Sequence, residues 1–111
     1  GFFSNVHEGP HSISKYNTIK IHEGMIVSNE PGYYKKGAFG IRIENLLYVK
    51  KSTKKLQFEN LTLAPIDKDL IDYKQLDKNE KNYLFNYHLN VYSKLSKYLN
   101  INEKKWLASF I

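Results

Sequence analysis

The chain contains no cysteine. A thiol nucleophile, a disulfide scaffold and thiolate-bound zinc are therefore excluded, and reaction chemistry falls to carboxylates and imidazoles. Two glutamates stand out. Glu30 precedes Pro31, and proline biases the residue before it toward extended backbone, so the Glu30 side chain leaves a stiff strand end. Glu44 lies in Ile41-Arg42-Ile43-Glu44-Asn45-Leu46-Leu47, where alternation puts Arg42 and Glu44 on one strand face and Ile41 and Ile43 on the other. Periodicity alone leaves a solvated face and a polar site equally open, because antiparallel sheets commonly turn one face to water. Two adjacent strands joined by the connection 31–40 would set Glu30 and Glu44 near each other. Like charges at close range need a cation or a proton between them. Carboxylates with imidazole suit divalent ions of the manganese or cobalt type, with zinc as an alternative. Two glutamates are too few ligands, so a metal site here needs partners from outside these 111 residues.

A second pattern is misleading. His7-Glu8-Gly9-Pro10-His11 fits the zinc-protease pattern H-E-x-x-H by letter, but that pattern works only on a helix, where positions i and i+4 share a face. Pro10 inside a helix would remove a hydrogen bond and clash with the preceding turn, costing about 3 kcal/mol or more. The zinc-helix reading is rejected, and spacing alone leaves a loop with two exposed histidines.

The elements that must position these residues divide at about residue 66. Before it, Gly and Pro punctuate short β-forming runs at 25–28, 41–49, 56–58 and 61–63. Tyr33-Tyr34-Lys35-Lys36-Gly37 reads as the connection joining the first two as a hairpin. From Asp77 onward there is no Gly or Pro. Asp77 followed by Glu80 matches a capping box. Leu84, Tyr87, Val91, Leu95 and Tyr98 then recur at helical spacing, predicting one continuous apolar stripe. A second, shorter helix is expected after Asn102, burying Trp106, Leu107 and Phe110.

Three motifs now stand in order: Asn5-Val6-His7-Glu8-Gly9-Pro10, then Gly24-Met25-Ile26-Val27-Ser28-Asn29-Glu30-Pro31-Gly32-Tyr33-Tyr34, then Gly37-Ala38-Phe39-Gly40-Ile41-Arg42-Ile43-Glu44-Asn45. Together they resemble aminopeptidase P, the X-prolyl aminopeptidase branch of the pita-bread metallopeptidases. Leu61-Thr62-Leu63-Ala64-Pro65-Ile66 and Asn86-Tyr87-His88-Leu89 are similar to that branch's C-terminal region. The resemblance implies an α+β fold: residues 1–66 as the C-terminal part of a pita-bread (creatinase/aminopeptidase-like) catalytic domain, and 67–111 as a helical extension associated with homodimer contact. Packing of those helices within one chain is the equal alternative. It also implies two divalent metal ions, usually manganese with zinc or cobalt as alternatives, and removal of the residue preceding proline from a peptide.

Residue by residue, the resemblance makes Glu30 and Glu44 metal ligands. Glu30 also takes a proton from the nucleophile, and Arg42 supports the site by hydrogen bonds. His7 becomes a substrate-contacting, proton-handling group. The family's two aspartates, its metal-binding histidine and its other substrate-contacting histidine have no counterpart here. The chain is therefore expected to be a fragment, inactive alone and completed by the upstream part of the same domain. Paired cations lower the pKa of a bridging water and polarise the scissile carbonyl. A prolidase-like dipeptidase of the same fold is the first rival. A metal-free pita-bread binding domain of the chromatin-associated type is the second.

Composition excludes other classes. Aromatic residues at 14% are too many for a disordered tail. No apolar run approaches the ~20 residues of a membrane span, and no signal-peptide pattern opens the chain. The net charge of +6 invites nucleic acid. The excess is instead spread along both halves, and Arg42 is the only arginine, the residue preferred for bidentate phosphate and guanine contacts. Neither nucleic acid nor membrane is expected as a partner. The cytoplasm is the expected location, with an acidic digestive compartment as the alternative.

Overall fold

A computed structural model describes residues 9–111. They fall into two compact units, one ending at Thr62 and one running from Leu63 to Ile111. Strands occupy the first and helices the second, so the α+β expectation holds.

In the first unit the strands are β1 (Ile26–Asn29), β2 (Gly32–Lys35), β3 (Phe39–Arg42), β4 (Asn45–Ser52) and β5 (Lys55–Asn60). They form an antiparallel sheet in the order β1-β4-β5 and a separate antiparallel pair β2-β3. The single strand expected over 41–49 is thus two strands in two sheets, interrupted at Ile43 and Glu44. The facing chain supplies the reason. Pro31 has no N–H to give to a ladder, so pairing lapses on both chains together, although Pro31 O still accepts from Ile43 N at 3.2 Å. The register is the same on both sides of the gap, with Asn29 paired to Asn45 and Gly32 to Arg42.

Two further expectations are corrected. Tyr33, Tyr34 and Lys35 belong to β2, as suits aromatic residues on a pleated surface, and the turn shrinks to Lys36, Gly37 and Ala38. Gly37 takes the left-handed conformation a three-residue hairpin loop needs, at φ 72°. Residues 61–63 form no strand. Leu61 N still donates to Leu46 O at 2.8 Å, in register with β4, and pairing stops there because Thr62 Oγ1 takes the Leu46 N–H at 2.9 Å. Val27, Val49 and Asn45 are the buried residues of this unit among the described residues. Enclosing a valine contributes about 1.5–3 kcal/mol.

The second unit begins with an extended stretch and a 3₁₀ turn at Lys68–Leu70, then α1 (Lys78–Leu95), a 3₁₀ turn at Ser96–Tyr98, and α2 (Ile101–Ala108). The predicted capping box is present. Asp77 Oδ1 accepts from Glu80 N at 2.8 Å, and Asp77 N donates to Glu80 Oε2 at 2.9 Å. A second box, Asn100 with Glu103, starts α2. Tyr87, Val91 and Leu107 are the core, with Ile66, Tyr92, Leu95 and Leu99 packed against it. The stripe therefore ends at Leu95. α1 gives way to the 3₁₀ turn, which rotates Tyr98 out to 74% exposure and leaves Leu99 to pack instead. Trp106 is exposed rather than buried, because α2 turns its neighbour Leu107 inward; Phe110 is half-buried and meets Trp106 edge-on at 5.1 Å.

Candidate metal centre

The interruption between the two sheets places Glu30 and Glu44. Carried through the gap, the common register sets them opposite each other. Arg42, the last residue of β3, reaches both. Its Nη1 lies 3.0 Å from Glu30 Oε2 and its Nη2 3.5 Å from Glu44 Oε2. Ser28 Oγ, near the end of β1, donates to Glu30 Oε1 at 2.9 Å. The two carboxylates thus share one guanidinium, whose planar fork can address two acceptors at once.

The side chains of Glu30, Glu44 and Arg42 are 27%, 44% and 49% exposed. At such exposure each ion pair contributes about 0–1 kcal/mol, since water screens the charges. Holding two acids at one place is the larger consequence of the arrangement. Oxygen donors of this kind suit divalent cations such as manganese or magnesium. Glu30 and Glu44 fit as part of a metal's ligand set, and among the described residues no third His, Asp or Glu joins them to hold an ion.

A concavity runs beside these acids, lined among others by Pro10, His11, Val27, Ser28, Glu30 and Glu44. The predicted site residues Glu30, Arg42 and Glu44 therefore come together. His7 lies outside the described residues.

Two further contributions come from Ser28, which sequence reasoning missed, and from His11, which it expected to be exposed. Ser28 sits two residues before Glu30, a spacing that keeps both on one side of an extended chain. His11 is only partly exposed; its Nε2 donates to Ile26 O at 2.9 Å, tying the loop after Gly9 to β1, and its Nδ1 is buried with no partner among the described residues. Residues 9–11, the described part of the His7–His11 pattern, are not helical; Glu8, like His7, lies outside the described residues.

Residues 1–51 match the family described as metallopeptidase family M24, and residues 54–109 match the C-terminal region of peptidase M24. A "Probable Xaa-Pro aminopeptidase P" of Pyrenophora teres f. teres is 43% identical over 90% of this chain and 17% of its own length. "Aminopeptidase P2" of Arabidopsis thaliana is 46% identical over 93% of this chain and 16% of its own. The crystal structure of the X-prolyl aminopeptidase from Caenorhabditis elegans, described as a cytosolic enzyme with a di-nuclear active site, superposes with a TM-score of 0.80. It is 35% identical and covers 95% of this chain and 19% of that one. The chain thus spans under one-fifth of the length of these relatives. With a family match across each part, strands and helices alike, the chain belongs to metallopeptidase family M24.

Proposed function

We propose that this chain is the C-terminal part of an Xaa-Pro aminopeptidase, which removes the first residue of a peptide when proline stands second. The observation that carries the reading is the convergence of Glu30 and Glu44, opposite in register and sharing Arg42. In this reading Glu30 and Glu44 are two ligands of a dinuclear site, manganese by preference and zinc or cobalt otherwise. The remaining ligands come from the upstream part of the same domain. Residues 1–111 alone are accordingly inactive. When bound, such a metal pair activates water and polarises the scissile carbonyl.

The chain's own residues act around that chemistry. Arg42 holds both carboxylates in orientation, and Ser28 fixes the rotation of the Glu30 carboxylate. Glu30 takes up the proton of the attacking water. His7 contacts substrate and donates to the developing oxyanion.

Homodimer formation through the helical unit rests on the exposed apolar side chains of Tyr98, Ile101 and Trp106. The cytoplasm is the proposed location. No helix among the described residues is long and apolar enough to cross a membrane.

The test uses the full-length protein with a tripeptide bearing proline second, the same peptide with alanine second, and an Xaa-Pro dipeptide. Release of the first residue from the proline tripeptide alone, lost on chelation and restored by Mn2+, is expected. Preference for the dipeptide would make it a prolidase. Absence of metal and of turnover would make it a binding domain.

A further inference from the structure

His88 takes no part in the chemistry above, yet it is a buried titratable group at 3% exposure. It sits where three pieces of the helical unit meet. From α1 its Nε2 accepts the backbone N–H of Ile66 at 3.1 Å. The preceding residue, Tyr87, donates its hydroxyl to Ala64 O at 2.6 Å, so neighbouring side chains of one helix hold the 64–66 stretch. On its other side the His88 ring lies against Phe110 at 5.9 Å, and the Phe110 backbone is a further hydrogen-bond partner. Lys68 ties the same two pieces together by donating to Ser109 O at 2.6 Å.

An imidazole nitrogen that accepts from an N–H must be unprotonated. A proton on Nε2 therefore replaces the Ile66 hydrogen bond with two donors facing each other. Backbone hydrogen bonding at Ile66 and Phe110 favours the charged ring, but burial, which disfavours it, is the larger influence. From the stretch after Ala64 the nearby charged group is the Lys68 amine, itself 5.8 Å above the Phe110 ring. From α1 the neighbouring titratable group is the Tyr87 phenol, engaged on Ala64. From the C-terminal turn come Phe110 and Ser109, both uncharged. Carboxylates of the packed elements are committed elsewhere, Asp67 to Asp69 N, Glu80 to Asp77 N and Glu103 to Asn100 N. Among the described residues no carboxylate forms an ion pair with His88.

We propose that His88 is a proton-operated latch: neutral, it fastens residues 64–66 and the C-terminal turn to α1, and protonated, it releases them. Burial, which holds the His88 pKa below its ordinary 6.5, accords with this. The inference is independent of the metal chemistry and survives if the peptidase reading fails.

The experiment is amide hydrogen exchange on the full-length protein at about pH 7.5 and about pH 5, a window in which histidine is the side chain that ordinarily titrates. Rates are corrected for intrinsic pH dependence, and peptides covering 63–68 and 108–111 are followed. Each pH unit between the unfastened and fastened pKa values changes the opening equilibrium about tenfold, so corrected exchange should rise at the lower pH in those peptides and not in the β1–β4 peptides. His88→Gln keeps an acceptor near the Nε2 position without titrating, and its corrected exchange should be flat. A flat wild type, or a parallel rise in His88→Gln, overturns the latch. Should that variant not fold, histidine-labelled wild type replaces it: the His88 ring must titrate with the same midpoint as the exchange change, and a different midpoint overturns the proposal.

Discussion

Glu30 and Glu44 face each other across a gap in pairing, within a register that is identical in the sheets on either side. The gap exists because Pro31 cannot donate to the ladder. The flanking pairs, Asn29 with Asn45 and Gly32 with Arg42, keep the two acids in step across it. A slip of one residue would turn every side chain of one strand to the opposite face. The register is thus what brings the acids together, and Arg42 keeps them from repelling each other.

Arg42→Lys tests that role. A lysine is a single point charge and cannot span both carboxylates as a planar fork does. In the full-length protein, loss of such a supporting partner should lower metal affinity or kcat/KM by about 10–100-fold. Metal content and turnover check this, and wild-type values for both would remove Arg42 from the site.

Glu44→Ala should have a harsher effect, because in the proposed site it deletes a ligand rather than its support. Metal should be lost and turnover abolished, while Arg42 keeps its contact with Glu30. Elemental analysis of the purified full-length variant decides it; retained metal with normal turnover would exclude Glu44 as a ligand.

Gly40 and Gly32 make room for one ring. A Cβ on Gly40 would stand 2.6 Å from Tyr34 Cδ1, and one on Gly32 would stand 2.8 Å from the Tyr34 hydroxyl. Gly40→Ala must therefore push the Tyr34 ring aside, at a cost of about 1 kcal/mol since the ring is exposed and can swing. In a Tyr34→Ala background the same change should be neutral or stabilising, as glycine in a strand costs about 0.5–1 kcal/mol relative to alanine. Thermal midpoints of the four proteins form the cycle, and simple additivity would refute the contact.

Legibility from sequence followed how local each signal was. The Asp77–Glu80 box lies within four residues and was read correctly, as was the burial of Tyr87 and Val91. The Glu30–Glu44 approach was legible because a single hairpin connects them. What failed depended on partners far along the chain. The break at Ile43 and Glu44 is imposed by Pro31 on the facing strand, and the strand stops short of 61–63 because Thr62 Oγ1 takes the Leu46 N–H. Tyr98 differs because the helical spacing does not continue through the 3₁₀ turn, which changes the angle each residue takes around the axis, and Trp106 differs because α2 presents its neighbour Leu107 to the core instead. Ser28 gave no sequence signal of its own, and His11, expected as an exposed loop histidine, is half-buried because its ring bonds to Ile26 O on β1, a contact visible only in three dimensions.

His88 makes a prediction about stability against pH. Its pKa in the folded unit lies below the ordinary 6.5, chiefly because burial disfavours the charged ring. As pH falls through 6.5 the unfolded chain takes the proton first, so the unfolded state binds more protons and stability declines. The contribution is fully present above that pH and is lost as pH falls toward the folded value. Thermal midpoints of the full-length protein should drop on acidification through this range, and the drop should be shallower in His88→Gln. Equal slopes in the two proteins would show that other groups govern the acid side, while a midpoint rising on acidification would reverse the sign and exclude a neutral, buried His88.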